Sequence, residues 1–227
     1  MNDSVYVIIP VYNEAKVIRK VVQEVLDVFP NVVCVDDGSV DNSVNEISTT
    51  EAHLVKHPIN LGQGGALQTG LDFALLNPKA QYFITFDADG QHDLEDVKRM
   101  LTELKKSEYD IILGSRFLEK HSSVKVPFKK RVLLRLALWF TLFTSGLELT
   151  DTHNGLRVFN RKAAEAIDIT LSNMAHASEI LTIIRQKKLK YKELPVTIHY
   201  SDYSMAKGQS MFNAINIIFD LMVKGRK

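Results

Sequence analysis

Tyr82-Phe-Ile-Thr-Phe-Asp-Ala-Asp-Gly-Gln-His-Asp93 is the stretch on which the reading of this chain turns. Its first five residues are aromatic or β-branched, the composition of a buried strand, and Gly90 opens a turn just beyond. Asp87 and Asp89 therefore fall at a strand end, where open α/β sheets collect their ligands. Two carboxylates one residue apart repel unless a cation or a set of donors lies between them. A hard divalent ion with oxygen ligands, Mg²⁺ or Mn²⁺, bridging the phosphates of a substrate meets that demand. Taken alone, the pair reads as turn-forming aspartates capping the next helix.

Working outward, strands alternate with helical patterns. Val5 to Ile9 is a β-rich run stopped by Pro10, with helical periodicity from Glu14 to about Phe29. Val32 to Val35 is a short strand, Asp36-Asp-Gly-Ser39 a turn, and Asp41 the start of another helix. His53 to Lys56 reads as a strand, then Asn60-Leu-Gly-Gln-Gly-Gly65 opens a helix to Leu76. After the strand ending at Phe86 come a helix near Leu94 to Lys105 and a strand from Asp110 to Leu113. This alternation predicts βαβ units: an α/β fold with a mostly parallel, Rossmann-like sheet flanked by helices.

A chain of 227 residues supports one full-sized core, and 45% hydrophobic with 24% charged content is that of a soluble globular chain. We read residues 1–227 as a single domain, with a ligand-binding half over 1–118 and a second half over 119–227. Net charge is +1, so no global field recruits nucleic acid. The lone Cys34 lies in Val32-Val-Cys-Val35 and reads as a core residue, with no disulfide or zinc spacing around it. The first strand begins almost at once, which leaves no room for a signal peptide. No apolar run reaches the roughly 18 residues of a spanning helix.

The second half is patterned differently. Between Glu119 and Glu148 there is no acidic residue, while Lys120, Lys125, Lys129, Lys130, Arg131 and Arg135 precede an apolar run from Leu136 to Phe143. That density fits a buried core helix; the basic run beside Trp139, Phe140 and Phe143 fits an amphipathic helix lying on an anionic membrane surface. Met211, Phe212, Ile215, Ile218, Phe219 and Met222 form a second amphipathic pattern that packs on the domain or meets the membrane.

Six short motifs occur in order: Ile9-Pro-Val-Tyr-Asn-Glu14, Val35-Asp-Asp-Gly-Ser39, Asn60-Leu-Gly-Gln-Gly-Gly-Ala66, Asp87-Ala-Asp-Gly-Gln91, Gly114-Ser-Arg-Phe117 and Asp151-Thr-His-Asn-Gly-Leu-Arg157. Together, over about Val5 to Ser210, they resemble the family 2 glycosyltransferases of GT-A fold, most closely the polyprenyl- and dolichyl-phosphate sugar transferases. The resemblance implies a nucleoside-diphosphate sugar donor, Mg²⁺ or Mn²⁺, and inversion at the anomeric carbon. It also implies a polyprenyl phosphate or glycan acceptor, and a peripheral position on the cytoplasmic face of the membrane. On the donor side it implies Pro10, Tyr12 and Glu14 around base and ribose, Val35 and Asp37 at the base, and Asp87, Ala88, Asp89 and Gln91 at ribose, metal and diphosphate. Asp89, Gln91 and Asp87 form the implied metal set. Lys207 lies in a segment resembling the family's mobile loop, although His199, Tyr200 or Tyr203 stands where relatives often carry an arginine. The implied catalytic residues are Asp151, Asp89 and Arg116, with Arg116, Arg157 and Glu179 toward the acceptor.

Physical readings stand beside these. Tyr12 offers a stacking face and Glu14 an acceptor for ribose hydroxyls. Asn60 to Ala66 turns backbone N–H groups toward an anion but lacks a P-loop ending. Arg116 at a strand end grips a phosphate or forms a surface ion pair. Asp151 serves as a general base for a hydroxyl acceptor, or orients one already anionic; Glu179 is the rival base. Arg157 anchors Asp151 or holds an acceptor phosphate. His92 reads as a solvated turn residue. The rival classes are a nucleotidyltransferase, which should carry a Gly-x-Gly-x-Arg type loop where Pro10 to Glu14 stands, and a non-catalytic nucleotide-binding domain.

Overall fold

Alternation with a period of two, apolar on both sides, turns most of the predicted strands into the middle of a sheet covered on both faces. The computed structural model describes residues 3–118, 147, 149–152, 154–171 and 175–199. In chain order these hold β1 (Val5–Val11), α1 (Ile18–Leu26), β2 (Asn31–Asp36), α2 (Ser43–Ser48), β3 (His53–Lys56), α3 (Gln63–Leu75), β4 (Tyr82–Thr85), α4 (Leu94–Lys106), β5 (Ile111–Ser115), β6 (Arg157–Asn160), α5 (Arg161–Ala166), α6 (His176–Gln186) and β7 (Tyr191–Pro195). The basic run and apolar helix over 120–143, Lys207 and the terminal amphipathic pattern lie outside the described residues.

The strand order is β3-β2-β1-β4-β6-β5-β7, and every pairing is parallel except those of β6 with β4 and β5. The mostly parallel α/β sheet expected from the alternation is therefore present. Val7, Ile9, Val32, Cys34, Ile84 and Ile112 face one layer with α1 and α4; Ile8, Val33, Val35, Phe83, Ile111 and Leu113 face the other with α3, α5 and α6. In α1 the buried Ile18, Val21, Val22 and Val25 follow helical spacing, and each such side chain contributes about 1.5–3 kcal/mol on burial. Helix α4 is capped by Asp93, which accepts from Glu95 N at 2.8 Å, with Glu95 and Asp96 in its first turn and Lys105 and Lys106 in its last. Cys34 is fully buried, and burial pushes its thiol up to about 12, so it is an inert core residue.

Some boundaries differ from the sequence reading. Helix α1 starts at Ile18 rather than Glu14, after a turn in which Glu14 O accepts from Val17 and Ile18 N. Strand β1 does not stop at Pro10; it runs through it to Val11. Val11 O accepts from Asp37 N, so Val11 faces β2 and Pro10 faces the β4 side. The β4 register ends at Ile8 opposite Thr85. The N–H that proline lacks therefore falls beyond the end of that ladder, where none is needed.

This topology fixes where function can sit. Connections from β1 run outward to β2 and β3, whereas β4 lies on the other side of β1, so a crevice opens between the carboxyl ends of β1 and β4. Antiparallel β6 begins at that same edge, with Arg157 in register with Thr85 on one side and Leu113 on the other. Asp151 is thereby delivered beside Arg116, and Gly155 beside Asp87.

Candidate active site

Beyond β1, Tyr12 is 46% exposed, a free ring face at the crevice rim. The loop beneath it is held by the loop after β2: Asn13 N donates to Ser39 Oγ at 2.9 Å, Glu14 N to Ser43 Oγ at 2.8 Å, and Val40 N to Asn13 Oδ1 at 2.9 Å. The loop after β2 also meets the loop before α3 closely: a Cβ at Gly38, whose φ is +74°, would lie 2.8 Å from Asn60 N.

Asp37 was expected to read a base through its carboxylate. In the structure that carboxylate is buried and engaged: Oδ1 accepts from Leu61 N and pairs with His57 Nδ1, both at 2.8 Å, and Oδ2 accepts from Gly62 N at 2.8 Å. His57 in turn reaches Thr69 Oγ1 at 3.0 Å. Asp37 thus folds the glycine-rich turn onto the start of α3. Val35 is a buried core residue one strand position away from the edge.

Asp87 lies at the centre of the edge. Its Oδ1 accepts from Gln63 Nε2 at 3.1 Å, and its Oδ2 lies 2.9 Å from His92 Nε2. Burial alone would push this carboxyl up. The His92 hydrogen bond, with the positive forms of His92, Arg157 and His176, outweighs burial and holds it below the usual carboxylate range. Asp89 behaves in the opposite way: burial, the charge of Asp87 and that of Glu14 raise it, against the N–H of Gln91, which donates to Asp89 Oδ1 at 3.1 Å. Ala88 is buried between the two. Asp87 is thus held by protein donors, whereas at Asp89 the Gln91 N–H and His92 only partly offset burial and the like charges of Asp87 and Glu14. That imbalance fits a divalent cation held by one or two carboxylates, with phosphate oxygens and water completing its shell.

His92 corrects the sequence reading. It is buried, not solvated, packed edge-on against Phe86 at 5.2 Å and bridged to Ile198. The same bridge brings His199 N to Gln91 O at 2.9 Å and His199 Nε2 to Asp93 Oδ2 at 3.1 Å. Ile198 and His199 are therefore laid on the turn that carries Gln91 and His92.

On the β5 side, Arg116 and Asp151 form a bidentate pair, with Nε to Oδ2 at 2.6 Å and Nη2 to Oδ1 at 2.8 Å; Arg116 N also donates to Oδ2 at 3.1 Å. Arg116 was expected to grip a phosphate or make a surface ion pair; its partner is a buried carboxylate, with the Asp151 side chain 2% exposed. Arg157 is buried between the two carboxylate groups. Burial lowers its guanidinium from the ordinary value, while Asp87 and Asp151 favour its charge. Its Nη1 has no hydrogen-bond partner among the described residues. No hydrogen bond or ion pair from Arg157 to Asp151 is present among the described residues, so both roles, anchoring Asp151 and holding an acceptor phosphate, stay open.

Glu179, the rival base, is drawn elsewhere. Its carboxylate accepts from Thr170 N, Thr170 Oγ1 and Leu171 N, clamping the loop before α6. That loop packs on the start of α3, where a Cβ on Gly64 would collide with Leu171 O and stand 2.9 Å from His176 Cβ. Glu179 thus supports the wall of the crevice. His57, His92, His176 and Gln63 were not singled out as site residues by the sequence. Gln63 and His92 lay inside quoted motifs; His57 and His176 carried no signal, because only folding brings them to Asp37 and Asp87.

Comparison with known proteins shows the family and the fold. Residues 6–168 match the model of the family described as Glycosyl transferase family 2. The chain is 35% identical over 226 residues to an uncharacterized protein of Methanocaldococcus jannaschii, covering 98% of this chain and 92% of the relative. It is 30% identical to the UDP-N-acetylglucosamine–dolichyl-phosphate N-acetylglucosaminyltransferase of Methanococcus voltae, over 96% and 95% of the two chains. Among solved structures, it is similar to glucosyl-3-phosphoglycerate synthase from Mycobacterium tuberculosis in complex with Mn²⁺ and UDP-glucose. The TM-score is 0.65 at 17% identity, over 96% of this chain and 76% of that one, a likeness of fold.

Proposed function

The chain belongs to glycosyl transferase family 2, and from that membership and the geometry of the sheet edge we propose that it moves a sugar from a nucleoside-diphosphate sugar to a polyprenyl phosphate. In the named relative of Methanococcus voltae the acceptor is dolichyl phosphate. One observation carries the reading: two acidic groups flank one buried guanidinium, Asp87 and Asp89 past β4 and Asp151 opposite β5, with Arg157 between them.

On the donor side, Tyr12 stacks on the base, and Glu14 receives the ribose hydroxyls. Asp89, Asp87 and Gln91 would hold Mg²⁺ or Mn²⁺, which when bound neutralises the diphosphate as it leaves. Gln63 and His92 fix the Asp87 carboxylate so that its orientation does not depend on the substrate. In the transfer, the bond from the anomeric carbon to the diphosphate oxygen breaks. A new bond forms from that carbon to an acceptor phosphate oxygen on the opposite face, with inversion. A phosphate monoester is already anionic near neutrality, so no hydroxyl proton has to be removed. Asp151 then orients: both its oxygens are engaged by Arg116, and the pair shapes the acceptor end of the crevice.

Turnover of nucleotide sugars with short polyprenyl phosphates, with Mn²⁺ and then with chelator, tests this. Asp151→Asn keeps one oxygen for Arg116 and is expected to lose less than about 10²-fold in kcat. A hydroxyl acceptor would need the base and lose roughly 10²–10⁴-fold. No turnover with any lipid phosphate, alongside transfer to a sugar hydroxyl, would replace this acceptor with a glycan.

The acceptor also sets the place of work, the cytoplasmic membrane face. No helix among the described residues is long and apolar enough to cross a membrane. Attachment is instead assigned to the basic residues Lys120 to Arg135 and the adjoining Trp139 and Phe140. Each basic residue near an anionic surface is worth about 1 kcal/mol, an attraction that fades over a Debye length. Binding to anionic vesicles should fall steeply with salt and further in a Lys129→Gln, Lys130→Gln, Arg131→Gln variant. Equal sedimentation with neutral and anionic vesicles would refute it.

A further inference from the structure

Residues 149–152 carry Asp151 to the sheet edge without belonging to any helix or strand, so something other than a ladder must hold them. Glu193, the third residue of β7 and in register with Leu113 of β5, supplies that hold. Its Oε1 accepts from Thr150 N at 3.0 Å and Asp151 N at 3.1 Å; its Oε2 accepts from Thr150 N at 2.9 Å and Thr150 Oγ1 at 3.1 Å. Thr150 Oγ1 also lies 2.6 Å from Ser115 Oγ, at the end of β5 and next to Arg116. The result is a closed circuit: Glu193 holds the backbone of Thr150 and Asp151, and Asp151 holds Arg116, which leaves the strand that carries Ser115.

A carboxylate is a demanding choice here. Burial and the charge of Asp151 both disfavour ionised Glu193, although the amides of Thr150 and Asp151 offset them. A neutral amide has one acceptor oxygen, whereas a carboxylate has two that together receive two backbone N–H groups and a hydroxyl. We propose that Glu193 is the positioning residue for Asp151, setting the carboxylate against Arg116 through the backbone of Thr150 and Asp151. It touches no reacting atom; its effect passes through Asp151. The inference rests on the role given to Asp151 under the proposed function, and its test has an arm that does not.

The test compares wild type with Glu193→Gln, Glu193→Ala and, on the same strand, Lys192→Ala, which removes an ion pair to Glu103 outside the site. Glu193→Ala should lower kcat about 10²-fold, the cost of a misplacement near 1 Å. Its KM for the nucleotide sugar, and its calorimetric affinity for UDP with Mn²⁺, should change less than twofold. Glu193→Gln retains one acceptor oxygen and should recover only part of that kcat; Lys192→Ala should keep the wild-type kcat. Independently of turnover, hydrogen exchange over 149–152 should accelerate at least tenfold in Glu193→Ala, with that over 87–92 unchanged.

The proposal is overturned if exchange over 149–152 is unaltered, if Glu193→Ala keeps wild-type kcat, or if donor affinity falls as far as kcat. It is also overturned if Lys192→Ala loses as much kcat, since the effect would then be general loosening of β7. A wild-type chain without transfer to any lipid phosphate overturns the function instead, while the exchange arm still decides whether Glu193 positions Asp151.

Discussion

Asp89→Asn should lower metal-dependent transfer by about 10²–10³-fold or more, the scale of losing one preorganised electrostatic contact to a developing charge, and at neutral pH it should raise thermal stability. The second effect follows from the first cause. Burial, Asp87 and Glu14 raise the Asp89 pKa in the fold, so its ionised form is disfavoured there. The penalty is absent while the group is protonated, below its ordinary value. It grows between the ordinary and the raised value and is complete above the raised one. An amide is never charged, so the variant gains at neutral pH and loses that advantage in acid. In a chain of this size each kcal/mol corresponds to about 2–4 °C. UDP with Mn²⁺ should lift the melting temperature of wild type and leave the variant unmoved. A destabilised variant, or one that turns over in chelator, would remove the metal from Asp89.

The asymmetry behind that prediction could be read only in part from the sequence. Asp87-Ala-Asp89 at the end of an aromatic, β-branched run announces both the strand and the ligand-collecting edge, because both follow from local pattern. That Asp87 is satisfied by the protein and Asp89 is not depends on His92 in the same loop and on Gln63 and Arg157, which arrive from two other elements. His92 shows why local reading fails: a histidine in a turn is ordinarily solvated, and the distant Ile198, together with Phe86, covers it. Strands β6 and β7 escaped for a related reason. Arg157-Val-Phe-Asn160 is four residues long and opens on a buried charge, and Tyr191–Pro195 carries two adjacent charged residues at its centre yet stays half-buried. Neither carries the near-continuous apolar signature of the central strands. Asp37 and Glu179 illustrate the converse. The resemblance implies Asp37 at the base and Glu179 toward the acceptor as a rival base, and in the fold both also close hydrogen-bonded turns that no local pattern announces.

Gly155→Ala should be nearly as damaging as the loss of Asp89, through packing alone. A Cβ at this position would stand 2.6 Å from Asp87 Cγ and nearer still to both carboxylate oxygens. Neither side can yield cheaply. Thr85 Oγ1 donates to Gly155 O at 2.6 Å, and the β4–β6 register pins Arg157 opposite Thr85. Asp87 is fixed by Gln63 and His92. The backbone of Gly155 does not lie in the left-handed region, so alanine adds a methyl group and no conformational strain. Overpacking of this kind costs about 1–3 kcal/mol, and displacing Asp87 by the ångström that the methyl demands costs about 10²-fold in rate. The variant should therefore fold with a lowered melting temperature, bind UDP and Mn²⁺ more weakly, and turn over slowly even at saturating donor. Wild-type kcat and melting temperature in Gly155→Ala would show that this loop does not brace Asp87, and the pairing of donor and acceptor carboxylates across Arg157 would lose its structural basis.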